Sequence, residues 1–237
     1  MKTVITGQLS TKIKQPVEKL LEKERNPIMH ILHTTPRTDG FCMPAEFDRH
    51  AGCLLIWPTR GDSWRSGGWP ARKAFAAVAA AIARSEEVTM LVAPEQYETA
   101  RAMLPPEVRL VEMETDDSWA RDVCPTFVRN AEGTVRGIDW GFNAWGGLVD
   151  GLYFPWDKDN HAARKVCDLY RADCYDSRDF ILEGGSIHSD GEGTILTTES
   201  CLCSAGRNPD MTKAEIEEKL CSMLGAQKAV SYTHLRA

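Results

Sequence analysis

The sequence predicts an α/β fold built from short strands that alternate with single helices. Short apolar runs bounded by turn residues, such as 53–57 and 88–92, indicate buried strands, whereas other segments carry apolar residues at helical spacing. Two paired strands followed by one helix recur at about 120–170 and again at about 180–230. With 43% hydrophobic and 26% charged residues, the chain has the composition of a globular protein. Its 237 residues are enough to bury a hydrophobic core.

The first half of the chain is predicted to alternate strand and helix. Pro58 ends the first apolar run, and Pro70 opens a helix. Within that helix Phe75, Val78 and Ile82 recur at helical spacing. The predicted elements are a strand at 53–57, a helix at about 70–84, a strand at 88–92, a short helix at 95–103 and a strand at 108–111.

The second half begins with a predicted β-hairpin, because two apolar runs flank a polar loop at 130–133 that ends in glycine. A helix that starts near 211 and ends before Gly225 carries a capping box formed by Thr212 and Glu215. The predicted elements are strands at 126–129 and 135–140, a helix at about 159–169, and short strands at 180–182, 186–189 and 193–197.

The charge distribution separates the start of the chain from the rest. Residues 1–28 hold six Lys and Arg against three Glu, which predicts an extension outside the fold. Residues 29–237 hold 22 basic and 31 acidic residues, a net charge of −9, which disfavours a nucleic-acid partner and favours cationic ligands.

The longest apolar run has nine residues, so no membrane span is predicted. No secretory signal is visible at the start, and the expected location is the cytoplasm.

The eight cysteines indicate neither a zinc site nor a disulfide framework. No C-x-x-C pair occurs, and the close pair Cys201 and Cys203 has no histidine near it at ligand spacing. We therefore predict no metal and interpret most of the cysteines as small buried hydrophobic residues in a reducing compartment.

Two segments carry carboxylates that could bind a cation. Four of the seven residues 116–122 are charged and one is Trp119, so this segment is either a solvated loop or a cup in which an aromatic face and carboxylates hold a guanidinium group. Glu183 precedes Gly184 and Gly185, which marks either a turn or a close approach of the backbone to a ligand. His188 follows five positions later, on the opposite face of a strand, and is interpreted as structural.

Six motifs in one order carry a resemblance to a known family. The chain resembles the agmatine deiminases, also called agmatine iminohydrolases, of the guanidine-modifying superfamily that includes the peptidylarginine and arginine deiminases. The resemblance covers about 33–230. The motifs are M-P-A-E-F (43–47), I-W-P (56–58), D-D-S-W-A-R-D (116–122), D-W-G-F-N-A-W-G-G (139–147), L-E-G-G-S (182–186) and G-R-N-P (206–209).

The resemblance implies an α/β propeller of five ββαβ modules, of which residues 29–230 would form about three within a single domain. It implies hydrolysis of agmatine to N-carbamoylputrescine and ammonia without metal or cofactor, through a cysteine thiolate and a proton-shuttling histidine. By the same resemblance Asp122 binds the guanidinium group, Glu183 is catalytic and Trp119 lies beside the substrate chain. Asp122 and Glu183 are therefore expected to face one cavity. A homo-oligomer is left open.

The sequence also departs from the family pattern. Neither the N-x-H-x-D segment of the histidine nor the G-G-x-x-H-C segment of the nucleophile occurs here, and Cys124 stands where the family has glycine. We expect the chain to be an inactive, C-terminally truncated piece whose last residues, 231–237, are not native. The alternatives are a non-catalytic module that binds guanidinium groups or amines, and a peptidylarginine or arginine deiminase.

Overall fold

The computed structural model describes residues 28–232. The predicted basic extension at 1–28 and the predicted non-native tail at 231–237 lie outside the described residues, apart from Ile28, Ser231 and Tyr232. Three separate sheets and the helices between their strands make up the described part, so the predicted α/β class is confirmed. No helix within 28–232 combines the length and the apolar character needed to cross a membrane.

The strands of the described chain are short. They are β1 (Ile31–Leu32), β2 (Gly52–Ile56), β3 (Glu87–Val92), β4 (Arg109–Glu112), β5 (Thr126–Arg129), β6 (Val135–Gly141), β7 (Cys174–Ile181), β8 (His188–Ser189), β9 (Thr194–Thr198) and β10 (Lys228–Tyr232).

Four helices of 7 to 14 residues and several single turns connect the strands of the described part. The α-helices of the described range are α1 (Pro36–Asp39), α2 (Trp69–Ile82), α3 (Tyr97–Met103), α4 (Ala120–Val123), α5 (Gly147–Asp150), α6 (Ala162–Tyr170), α7 (Glu199–Leu202) and α8 (Lys213–Leu224). Four 3₁₀ turns lie at Ser66–Gly68, Pro94–Gln96, Asp159–His161 and Gly184–Ser186.

The first sheet is fully parallel, with the strand order β2, β3, β4 and with α2 and α3 as the crossovers. Five of the six residues of the central strand β3 are buried, because both faces of a parallel sheet are normally covered. Trp57, Ala79 and Met90 belong to the core of this unit. The predicted elements of the first half are confirmed to within two residues at each end.

The second sheet has the order β1, β7, β6, β5. β5 and β6 form the predicted antiparallel hairpin, and α6 leads to β7, which runs parallel to β6. In the hairpin turn, Oδ1 of Asn130 accepts a hydrogen bond from the Thr134 amide at 2.8 Å, and Gly133 has a φ of 83°. These strands and α6 form one ββαβ unit.

The third sheet repeats that unit. β8 and β9 are antiparallel, and α8 connects β9 to the parallel strand β10. The predicted capping box of α8 is confirmed: the Thr212 hydroxyl accepts from the Glu215 amide at 3.3 Å, and the Glu215 carboxylate accepts from the Thr212 amide at 2.7 Å. Such a cap stabilises a helix by about 1 kcal/mol. Ser231 and Tyr232 pair with Thr197 and Thr198 in this sheet.

Two predicted strands have the wrong bounds. β7 spans Cys174–Ile181, whereas only 180–182 was predicted, because Asp and Arg residues interrupt its apolar pattern. The strand predicted at 186–189 is shortened to β8, since Gly184–Ser186 forms a 3₁₀ turn. This turn changes the direction of the chain directly after Glu183, a residue that the sequence had singled out.

Candidate active site

The loop before α4 is fastened to the turn before α6 by two carboxylates. Oδ1 of Asp159 accepts a hydrogen bond from the Asp116 amide at 2.8 Å, and Oδ2 of Asp116 accepts from the Lys158 amide at 2.8 Å. The Asp159 carboxylate also accepts a hydrogen bond from the hydroxyl of Tyr153. Asp116 therefore holds two loops together, a structural role that differs from the solvated loop suggested by the sequence as one alternative.

Asp117 is buried and orients two tryptophans. Its carboxylate accepts hydrogen bonds from the indole nitrogens of Trp64 and Trp119, each at 2.8 Å, and from the Ser63 hydroxyl at 2.5 Å. The amide of Ser118 adds a fourth bond at 2.9 Å. With its oxygens occupied in this way, Asp117 fixes the aromatic rings rather than offering acceptors to a ligand.

Trp119 belongs to an aromatic wall. Its ring stacks on Trp64 with the centroids 5.7 Å apart and meets Trp145 edge to face at 5.4 Å. Trp119 remains 37% exposed, so part of its ring faces solvent. An exposed indole face attracts a cation through the ring quadrupole.

Trp145 reaches this wall from a strained loop. Ala144 and Trp145 have φ values of 55° and 68°, in the left-handed region that costs a non-glycine residue about 1–3 kcal/mol. Trp145 also contacts Phe142 and Tyr153 edge to face. The side chain of Asn143 anchors the loop by donating to the carbonyl of Gly206 at 2.7 Å. The surrounding aromatic contacts and this hydrogen bond hold the loop in its strained conformation.

The structure brings the Asp122 and Glu183 segments together, although 60 residues separate them in the sequence. Oδ1 of Asp122 accepts a hydrogen bond from the Gly185 amide at 2.8 Å. Gly184 packs so closely on α4 that a Cβ there would lie 2.2 Å from the carbonyl oxygen of Arg121. The two glycines after Glu183 therefore allow a close approach between two chain segments.

Glu183 is 1% exposed and has a cationic partner, Arg207, whose Nε lies 2.9 and 3.1 Å from its two carboxylate oxygens. Burial raises the pKa of Glu183, Arg207 opposes that shift, and the negative charge of Asp122 adds to it. Burial likewise raises the pKa of Asp122, against the Gly185 amide and the charges of Arg121 and Arg207. Each carboxylate is thus harder to ionise than usual.

Arg207 is a site residue that sequence reasoning missed, although it stands in the G-R-N-P motif quoted for the resemblance. The neighbouring Asn208 fixes its place: the Asn208 amide donates to the carbonyl of Ile181 at 2.9 Å and accepts from the Ile181 amide at 3.0 Å. This pair of bonds holds the motif against the end of β7, the strand that leads to Glu183. The arginine of the G-R-N-P motif was the signal that the sequence offered.

Cys124 and His188 do not join this group. Desolvation raises the pKa of the Cys124 thiol, and the negative charge of Asp159 adds to the shift, so the thiol is held in its neutral, weakly nucleophilic form. His188 is exposed on β8, where its backbone pairs with Leu196.

Asp159 makes the stability of this region dependent on pH. Burial raises its pKa to about 6, whereas an unfolded Asp ionises near 4. Between these values the unfolded chain loses the proton and the folded chain keeps it, so we expect this group's contribution to stability to fall as pH rises from 4 to 7, by about 3 kcal/mol at most.

The measurement is urea denaturation of the wild type and of Asp159→Asn at several pH values. The variant is expected to be destabilised throughout, because Asp159 accepts several hydrogen bonds, but its deficit should shrink as pH rises. A deficit that stays constant between pH 4 and 7 would contradict the raised pKa. Tyr153→Phe removes a hydrogen-bond donor to the Asp159 carboxylate and should raise the pKa of Asp159 further. The pH-dependent loss of stability should then occur at higher pH.

Known proteins resemble this chain over most of its length. The sequence pattern of the Porphyromonas-type peptidyl-arginine deiminases matches residues 42–234. A Listeria monocytogenes protein (serotype 4b, strain F2365) named "Putative agmatine deiminase 1" is 57% identical over 202 residues, which are 85% of this chain and 56% of that protein. The chain thus spans about half the length of the curated relatives that it matches.

Solved structures agree with the sequence matches. The agmatine deiminase of Enterococcus faecalis superposes with a TM-score of 0.84 at 50% identity, over 86% of this chain and 56% of that one. A structure described as a "putative peptidyl-arginine deiminase" superposes with a TM-score of 0.70 at 32% identity, over 81% of this chain and 57% of that one. The pattern match alone covers most of the sequence, and this chain therefore belongs to the Porphyromonas-type peptidyl-arginine deiminase family.

Proposed function

We propose that this protein hydrolyses the guanidine group of agmatine to N-carbamoylputrescine and ammonia, a step of putrescine biosynthesis. The observation that carries the proposal is the meeting of the Asp122 and Glu183 segments in a chain about half of whose residues are identical to those of relatives named agmatine deiminases. The substrate is a small cation, and the acidic body of the chain favours such a ligand.

The surroundings of three residues support the roles proposed for them. Asp122 and Glu183 would accept the N–H groups of a planar guanidinium, because an ionised carboxylate offers about four acceptor positions and Arg207 approaches Glu183 through Nε alone. Their raised pKa values fit a site that becomes fully ionised when a cation arrives. Trp119 would cover the aliphatic part of the substrate with its exposed ring face.

The covalent steps are assigned by family resemblance. A cysteine thiolate attacks the guanidinium carbon, ammonia leaves with a proton from the histidine, and water then releases the amidino group from sulfur to give the carbamoyl product. The motifs of that cysteine and histidine do not occur among the 237 residues. The function proposed for this part of the protein is therefore substrate binding. We also propose a cytoplasmic location, since all eight cysteines, which lie in the described range, are free thiols.

The proposal is tested first by binding. Agmatine titrated into the chain in a calorimeter should bind, and Asp122→Asn should weaken that binding roughly 10- to 100-fold, as expected for the loss of a hydrogen bond between charged groups. Asp157→Asn, which removes the same charge from an exposed residue, is the matched control and should leave affinity unchanged. Equal affinity in Asp122→Asn and the wild type would contradict the assignment.

Activity is tested with the chain alone and with a version extended by the segments of the Enterococcus faecalis agmatine deiminase that the chain does not cover. We expect release of N-carbamoylputrescine and ammonia from the extended version only. Faster turnover of a peptidylarginine substrate than of agmatine would favour the other named activity of the family. Binding without turnover in the extended version would favour a non-catalytic guanidinium-binding module.

A further inference from the structure

Three potential metal ligands meet at one edge of the first sheet. His50 lies in the turn before β2, Cys53 is the second residue of β2, and Glu86 directly precedes β3. The two strands begin side by side, because they run parallel with Gly52 opposite Glu87. As a result a ring nitrogen of His50, the sulfur of Cys53 and a carboxylate oxygen of Glu86 all lie within 4.8 Å of one another.

The spacing of these atoms suits a tetrahedral ion. Nδ1 of His50 lies 3.5 Å from Oε2 of Glu86. Two ligands that each bind zinc at about 2.1 Å, at a tetrahedral angle, are about 3.4 Å apart. The sulfur of Cys53 lies within 4.8 Å of both atoms, so side-chain rotation would have to bring it closer for all three atoms to reach bonding distance from one ion.

Two of the potential ligand atoms, Oε2 of Glu86 and Nδ1 of His50, have lone pairs that could bind a metal ion. Oε2 of Glu86 is buried, and its contact with Nδ1 of His50 at 3.5 Å is too long or too bent for a well-formed hydrogen bond within the described residues. Nε2 of His50 lies 2.9 Å from the carbonyl oxygen of Glu46, and only a donating N–H makes a favourable bond there. In the neutral ring this bond leaves the lone pair on Nδ1, which is directed toward Glu86. Histidines that bind metals are oriented by a hydrogen bond of this kind.

We propose that His50, Cys53 and Glu86 form a binding site for a zinc ion. Thiolate, imidazole and carboxylate are all established zinc ligands, and the two negative charges of Cys53 and Glu86 balance those of the ion. A fourth position remains for water or an added ligand on the exposed side, where the His50 side chain is 47% exposed.

This site is separate from the candidate active site. Cys53 stands at the start of β2, whereas Trp64, which belongs to the aromatic wall, follows the end of that strand. Glu46 connects the two regions: its carbonyl group orients His50, and its carboxylate pairs with Arg121 in α4 at 2.8 Å. Zinc would thus order the turn from Glu46 to His50, which touches the segment that carries Asp122.

The sequence predicts no zinc site because it contains no C-x-x-C pair. His50 and Cys53 have the spacing H-x-x-C, but the third ligand, Glu86, precedes another strand and lies 33 residues beyond Cys53 in the chain. The competing explanation for the cluster is an ion pair between protonated His50 and Glu86 beside a free thiol, without metal. The two explanations differ in what they predict for Cys53.

The test is zinc binding to the full chain, prepared without a histidine tag and under reducing, metal-free conditions. Competition with a chromogenic chelator should give one zinc ion per chain. Cys53→Ala and Glu86→Gln should each weaken binding by roughly 100-fold or more, since loss of a residue behind a ligand already costs 10- to 100-fold. Cys203→Ala, which removes an exposed thiol elsewhere, is the matched control and should bind as the wild type does.

Two further measurements protect the test against misfolded variants. Cobalt(II) added in place of zinc should give the absorption of a tetrahedral thiolate complex in the wild type but not in Cys53→Ala. Zinc should also slow alkylation of Cys53, mapped by mass spectrometry, in the wild type but not in Glu86→Gln. Absence of stoichiometric binding, binding that survives both variants, or a cobalt spectrum without thiolate absorption would overturn the proposal.

Discussion

Replacing Arg207 with methionine is expected to lower the free energy of unfolding by about 3–5 kcal/mol, because it leaves the Glu183 carboxylate buried without its cation. The Glu183 side chain is 2% exposed and that of Arg207 12% exposed, so water cannot readily take the place of the guanidinium group. The Nε bonds of Arg207 to both carboxylate oxygens, at 2.9 and 3.1 Å, are lost in this variant. Urea denaturation at pH 8 measures the effect.

The pH dependence of this variant identifies the cause. Arg207 opposes the rise in the pKa of Glu183, so its removal should raise that pKa further above the unfolded value of about 4.3. For an acid with a raised pKa, stability is lost as pH rises through the folded value. The deficit of Arg207→Met should therefore be smaller at pH 5 than at pH 8.

A second substitution provides the control for this prediction. Adding Glu183→Gln to Arg207→Met removes the unpaired charge and should restore much of the stability at pH 8, whereas Arg207→Lys keeps the charge and should lose less than Arg207→Met. If the double variant is as unstable as Arg207→Met, lost packing around the arginine, rather than an uncompensated charge, would explain the effect.

Replacing Gly184 with alanine is expected to destabilise the protein by about 3 kcal/mol and to separate α4 from the turn after Glu183. The added Cβ would lie 2.2 Å from the carbonyl oxygen of Arg121 and 3.3 Å from the carbonyl carbon, and both atoms belong to backbone that cannot rotate away. Movement of α4 would also break the bond from the Gly185 amide to Asp122.

Thermal and urea denaturation measure the loss of stability, and agmatine titration measures the loss of the site. Gly61→Ala is the control, since a Cβ at that position meets no atom within 4 Å and its backbone does not require glycine. Gly184→Ala should weaken agmatine binding even where the chain remains folded. A variant with wild-type stability and affinity would show that the two segments do not need their close contact.

Much of the fold could be predicted because its signals are local. The hairpin at β5 and β6 follows from a polar loop between apolar runs, and the start of α8 follows from Thr212 and Glu215, which bond to backbone three residues away. β3 is recognisable because a buried parallel strand must be apolar on both faces. The motifs likewise identified Asp122 and Glu183 as carboxylates worth following.

The tertiary structure decided which charged groups meet. β7 was largely missed because its Asp and Arg residues hide a strand that neighbouring strands stabilise on both sides. Arg207 pairs with Glu183 only after Asn208 fastens its loop to β7. Asp117 lies in the acidic segment, but its carboxylate accepts hydrogen bonds from two tryptophans instead of remaining free for a cation.

Tertiary contacts also decided that His50, Cys53 and Glu86 form a cluster. The sequence by itself determined the strands β2 and β3, through the apolar character of short runs within each segment. The parallel register of those strands then placed their first residues side by side, and register depends on contacts between distant segments. A side chain's partner across such a contact is set by packing of the whole domain, so only the tertiary structure could reveal it.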